Sequence, residues 1–211
     1  MPPIEYDRQV FLNCPFDDDY KTLLRALAFT ILDCGLVPRL ASDRADSGEV
    51  RVEKIRNLIR SCRFSIHDIS RMEPLNPGDL PRFNMPFELG LDLGCRFYGS
   101  KRLAAKECLI LEREKYRYQR VLSDISGNDI RAHGGDPQAL ISEVRKWLQV
   151  TTSRELPSGS MVWQRFSEFT SFLQTSLRAT GFTVEEIDSL EISELIQRAQ
   201  DWIKATRTAP N

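Results

Sequence analysis

Two acidic side chains stand twenty positions apart in settings that could serve chemistry. Asp68 ends the apolar stretch Phe64-Ser65-Ile66-His67-Asp68-Ile69, which reads as a strand. Glu88 lies in Phe83-Asn84-Met85-Pro86-Phe87-Glu88-Leu89-Gly90, which opens a helix expected over residues 84–98. Asn84 is a good N-cap and Pro86 is tolerated in a first turn. A carboxylate in that turn is stabilised by the helix dipole and stays ionised. Asp68 has two readings: it caps a backbone turn, the commoner case for an isolated Asp, or it accepts a hydrogen bond from a ligand hydroxyl. Glu88, Asp92 and Arg96 fall on one polar stripe of the helix. That stripe is either a solvated face with an Asp92–Arg96 pair or the wall of a ligand cleft. The rest of the helix is apolar, and Gly90 and Gly94 are expected to pack closely on a sheet, so the cleft is favoured.

Other polar groups gather in loops. Asn13, Cys14 and Asp17-Asp18-Asp19 follow the first strand-like run. Backbone N–H groups at the start of the next helix could meet a phosphate, but no glycine-rich phosphate fingerprint is present. Asp46, Gly48 and Glu49 could line the same cleft, though a turn and a helix cap suffice to explain them. His67 and His133 are too few and too far apart to give a recognisable metal spacing, so no metal or other cofactor is expected. His67 reads as a packed strand residue. His133-Gly134-Gly135-Asp136 reads as a turn before a helix, with ligand contact the minority reading. No Ser or Cys sits in a nucleophile elbow.

The elements that must position these groups alternate. Strands are expected at residues 9–13, 36–41, 64–69 and 108–112, with helices at 20–34, 49–62 and 84–98 between them. Pro38 within the second strand favours a sheet edge. This alternation predicts an α/β fold: a parallel sheet of four to five strands with helices on both faces. Ligands of such sheets bind outside the carboxyl ends of the strands, where strand order reverses. Further on, residues 115–122 suggest a short helix, 123–136 a loop with a minor strand, and 137–150 a helix. Residues 1–150 are read as the α/β domain, 151–160 as a linker and 161–211 as a C-terminal helical appendage. The appendage either covers a face of the domain or mediates homo-oligomerisation.

Composition narrows the field. The 211 residues carry 29 Lys+Arg against 30 Asp+Glu, so bulk charge does not suit nucleic-acid binding. No apolar run reaches the length of a membrane span, and the N-terminus has no secretory pattern. Five scattered cysteines suggest reduced thiols and a cytoplasmic setting.

A third strand ending in Asp68, then Ser70, then Asn84-x-x-x-Glu88-Leu89-Gly90 opening a helix resembles the nucleoside 2-deoxyribosyltransferase-like group and the related TIR-like proteins. Gly35-Leu36-Val37-Pro38 also fits, and the resemblance covers about residues 8–112. It implies a flavodoxin-like architecture and an N-glycosidase or N-glycosyl transferase. The substrates implied are a nucleoside, a nucleotide or NAD, and several branches of the group serve bacterial anti-phage or toxin systems. Others have lost catalysis and bind nucleotides, which keeps a non-catalytic sensing or adaptor module as the alternative. By position, Glu88 would be the catalytic carboxylate and Asp68 would hold the sugar or assist the departing base. Asn13, Cys14, Phe16, Ser70, Phe83 and Asn84 would bind substrate, Asn84 orienting Glu88 or a ribose hydroxyl. Phe16, Phe83 or Phe87 would stack on the base. Breaking an N-glycosidic bond builds positive charge on the sugar, which a fixed carboxylate stabilises or attacks.

Overall fold

The computed structural model describes residues 5–43, 46, 48–72 and 80–208. Its strands are β1 (Gln9–Asn13), β2 (Val37–Arg39), β3 (Phe64–Asp68), β4 (Glu107–Glu112) and β5 (Arg131–Ala132). They form one parallel sheet in the order β2-β1-β3-β4-β5. The helices are α1 (Lys21–Asp33), α2 (Arg51–Ser61), α3 (Asn84–Tyr98), α4 (Lys101–Ala104), α5 (Pro137–Thr152), α6 (Gly159–Ala179), α7 (Val184–Asp188) and α8 (Ile192–Thr208). This is the flavodoxin-like arrangement, and strand order reverses between β1 and β3.

Every β1 and β3 position is buried, polar ones included, so both faces of the central strands are covered, as parallel sheets require. Val10, Leu12, Phe64, Ile66, Leu109 and Leu111 meet α1 and α5 on one face. Phe11 meets α2, while Ile69 and Ile110 meet Met85 and Leu89 of α3 on the other. α1 ends where Gly35 adopts a left-handed φ of 78°. Its N–H reaches the Leu32 carbonyl and that of Leu36 reaches Ile31, closing the helix end in a Schellman turn. Pro38 does lie on an edge strand, where a missing N–H is tolerated.

Local differences from the sequence reading have local causes. The short helix expected over residues 115–122 is a single 3-10 turn, Arg117–Arg120, entered through Tyr116 at φ 66°. The loop at 123–136 holds the two-residue strand β5. α4 and α7 are too short to show a periodicity. α6 and α8 do not stand apart from the domain: Val162, Phe166, Phe169, Leu173, Leu195, Ala199 and Ile203 join the same apolar cluster as α1 and α5. Phe29 of α1 stacks on Phe169 at 5.4 Å and lies 6.0 Å from Trp202. Asp33, at the end of α1, binds Arg165 of α6 at 3.3 Å and Arg207 of α8 at 2.9 Å. Covering a face of the domain is therefore the role seen for these helices. No helix among the described residues is long and apolar enough to cross a membrane.

Candidate functional site

Asp68 closes β3 and points to the α1/α5 face, in phase with Ile66. It is fully buried. Its Oδ1 accepts the Ser70 N–H at 2.9 Å. Its Oδ2 accepts the Tyr20 hydroxyl at 2.6 Å and faces His133 Nε2 at 3.0 Å. Gly135 donates its N–H to His133 Nδ1 at 3.0 Å, so Nε2 carries the ring proton and donates to Asp68. Burial alone would raise the Asp68 carboxyl, but the bonds from His133, Ser70 and Tyr20 outweigh it and hold the group below the usual range. Every oxygen of Asp68 is thus engaged within the protein. The side chains it anchors, Tyr20, Ser70 and His133, line a cavity of about 290 Å³ together with Asp19, Leu23, Arg71, Arg113 and Gly135. Arg71 is held by Asp17 at 2.7 Å.

Glu88 comes from the other side. The β3-to-β4 crossover carries α3 over the α2 face, so Glu88 and Asp68 approach the strand ends from opposite faces of the sheet. Alternation along β3 sets Asp68 towards α1, while the crossover brings Glu88 in on α3 from the other face. They still flank the same point. Burial pushes the Cys14 thiol, just past β1, well above its usual range, and the charges of Asp68, Glu88 and Asp17 push it further. This is the crevice between β1 and β3 where ligands of such sheets bind.

The two acids of the α3 polar stripe face inward while Arg96 is exposed, and Asp92 does not pair with Arg96. Its Oδ2 lies 2.9 Å from His67 Nε2, and its Oδ1 lies 3.3 Å from Lys106 Nζ. Lys106, itself buried, also donates to the Ile59 and Cys62 carbonyls at 2.9 and 2.6 Å. Asn13 donates one amide N–H to the Met85 carbonyl and directs the other at His67 Nδ1, both at 2.9 Å. A carbonyl can only accept, so the Asn13 amide has one possible orientation. His67 Nδ1 is then the unprotonated nitrogen, and Nε2 donates to Asp92. Burial would raise Asp92, but His67 and Lys106 outweigh it and hold it low. His67 is a packed strand residue, as its sequence setting suggests, and it also ties β3 and β1 to the first turn of α3.

His67, Asp92 and Cys108 gather nitrogen, oxygen and sulfur atoms within 4.8 Å of one another. The chemistry of the set opposes a cation. The Lys106 ammonium already neutralises Asp92, and burial pushes the Cys108 thiol up to about 12.

Glu88 differs from every other buried carboxylate among the described residues. Asp33, Asp68, Asp92 and Glu112 are each fixed by short bonds, Glu112 by Arg117 at 2.5 Å and the Arg113 N–H at 2.7 Å. Glu88 is 4% exposed, yet its partner there is Arg51 at 3.6 Å, whose own side chain is 61% exposed. Burial raises its carboxyl, and Arg51 only partly offsets this.

The remaining sequence candidates are dispersed. Asn13 and Ser70 are buried in the two networks above. Phe16 lies in the loop after β1, 43% exposed. Phe83 occupies the N-cap position expected for Asn84, and Asn84 is exposed as the first residue of α3. No hydrogen bond joins Asn84 to Glu88 among the described residues. Asp46 accepts the Gly48 N–H and forms a turn. Sequence reasoning missed Tyr20, Arg71, Arg113 and Lys106. Tyr20 reads as one more apolar position of a helix, and nothing local marks the others as paired across the sheet. Comparison with protein-family models, curated proteins and solved structures finds no match.

Proposed function

We propose that this protein cleaves the bond between a ribose carbon and its base in a nucleoside, a nucleotide or NAD, with Glu88 as the carboxylate that meets the sugar. The observation that carries the reading is Glu88 itself: a buried acid, at the crevice between β1 and β3, that no short bond among the described residues locks. A buried charge with one loose, solvent-exposed partner contributes little to stability, and such groups concentrate at functional sites. The contrast with Asp68, held low by three donors, separates the two carboxyls by environment in the way acid and base roles are separated.

In this reading the C–N bond breaks with its electron pair leaving on the base. The cationic sugar is met by the Glu88 carboxylate, as ion pair or ester, and water or a second base completes the exchange. Asp68 acts as a positioning residue. With its oxygens engaged, it orients Tyr20 and His133 and does not touch the sugar.

A second reading has its own support. The cavity lined by Tyr20, His133, Arg71 and Arg113 suits a polar ligand that is bound without turnover. One experiment separates the two. The full chain is incubated with NAD, nucleoside monophosphates and deoxynucleosides, with base release and thermal shift read in parallel. Turnover by the wild type that falls about a hundredfold or more in Glu88→Gln is expected. Full activity of that variant, or no base released from any substrate, overturns the proposal. Stabilisation without turnover, lost in His133→Ala, supports the binding module.

A further inference from the structure

Gly90 and Gly94 were expected to bring α3 close to the sheet, but they lie on its other side. At 100° per residue they are opposite Asp92, which faces inward. A Cβ added at either position would meet nothing within 4 Å. Glycine weakens a helix interior, and here no contact among the described residues needs its small size. The residues around the pair are apolar and uncovered: Phe83 is 70% exposed, Phe87 57%, Phe97 69% and Tyr98 91%. We propose that this face of α3 is the contact surface between two copies of the chain.

The order of residues names the occupant. Phe87, Gly90, Gly94 and Phe97 follow one another at spacings of three, four and three. That pattern reads the same in both directions about its midpoint near Asp92. A two-fold axis there crosses two α3 helices antiparallel, sets Gly90 of one copy against Gly94 of the other, and sets Phe87 against Phe97. Such self-matching is what a two-fold contact demands, since residue i meets j and j meets i. Bare glycines at the crossing let the two backbones approach closely.

The area is sufficient. An aromatic side chain buries about 150–250 Å², so these four rings offer on the order of 500 Å² per copy. A stable interface needs roughly 800 Å² per partner. The balance is available beside the stripe, where a groove of about 420 Å³ runs between α2, α3 and α4, with Leu91, Cys95 and Leu103 in its wall. Arg56 and Arg60 also line it, placed to lie over an entering aromatic ring.

Sedimentation velocity of the full chain at rising concentration tests the proposal. A monomer–dimer equilibrium is expected for the wild type. Phe97→Glu and Gly90→Leu should each weaken it by about tenfold or more. Gly90→Leu should also raise the melting temperature measured at monomeric concentration, because within one copy the new side chain fills open space and improves the helix. A purely structural role for Gly90 gives the opposite sign. A wild type that stays monomeric at every concentration, or variants that dimerise as tightly as the wild type, overturns it.

Discussion

Glu88 is held in a state the fold alone does not require, and its titration should reveal this. Burial raises its carboxyl above the ordinary glutamate value of 4.5. Over the interval between those two values the folded protein keeps a proton that the unfolded chain has released. The resulting stability is fully present below 4.5 and is lost as pH rises through the raised value. Asp68 and Asp92 behave oppositely: held below 3.8, they contribute above that value and lose the contribution as pH falls through their depressed values. Glu88→Gln should therefore gain melting temperature relative to the wild type as pH rises through the window just above 4.5. Parallel melting curves across that window would show that the carboxyl is not shifted. Combined with the activity loss proposed above, this gives a variant that is less active and no less stable. A residue kept for packing or pairing gives the reverse.

At the scale of elements, α3 is fastened to the sheet by charge as well as by apolar packing. Met85 and Leu89 pack on Ile69 and Ile110, while Asp92 reaches through to His67 and Lys106. Both members of the Asp92–Lys106 pair are buried. Removing one strands the other without solvent, so Lys106→Met should destabilise by about 3–5 kcal/mol in urea unfolding. The double variant Asp92→Asn/Lys106→Met should recover part of that loss, because the neutral amide oxygen still accepts from His67 Nε2 and no buried charge is left unpaired. If the double variant is as unstable as the single, the pair is not the unit that matters. His67 Nδ1 remains satisfied by Asn13 in both variants, so the first turn of α3 keeps its tie to β1.

For the molecule as a whole, the sheet is covered twice on one side. α1 is buried around nearly its whole circumference, because α6 and α8 pack on its outer surface while β1 and β3 pack on its inner one. A helix apolar all round signals such a second layer. Leu24, Ala28, Phe29 and Leu32 lie in a stretch with few polar positions to offer water. Phe169, buried against Phe29, carries much of this contact. Phe169→Ala should cost about 3–5 kcal/mol, read from denaturant unfolding followed by tryptophan fluorescence. A loss near zero would mean that the outer layer is an accessory and not part of one core.

The order of strands and helices, the edge position of β2, the span of α3 and the placing of Asp68 and Glu88 at strand and helix ends were all legible from the sequence. Each depends on apolar periodicity or on glycine and proline, which act over a few residues. What the chain could not disclose locally is which face each polar group turns to and whom it meets there. Asp68 meets His133 across 65 positions and Arg207 meets Asp33 across 174. Only the crossover of the chain to opposite faces of the sheet separates Asp68 from Glu88, turns Asp92 inward to Lys106 and leaves Gly90 and Gly94 bare. Burial and pairing are properties of the packed assembly, and they decide which of several identical carboxylates is left unfastened.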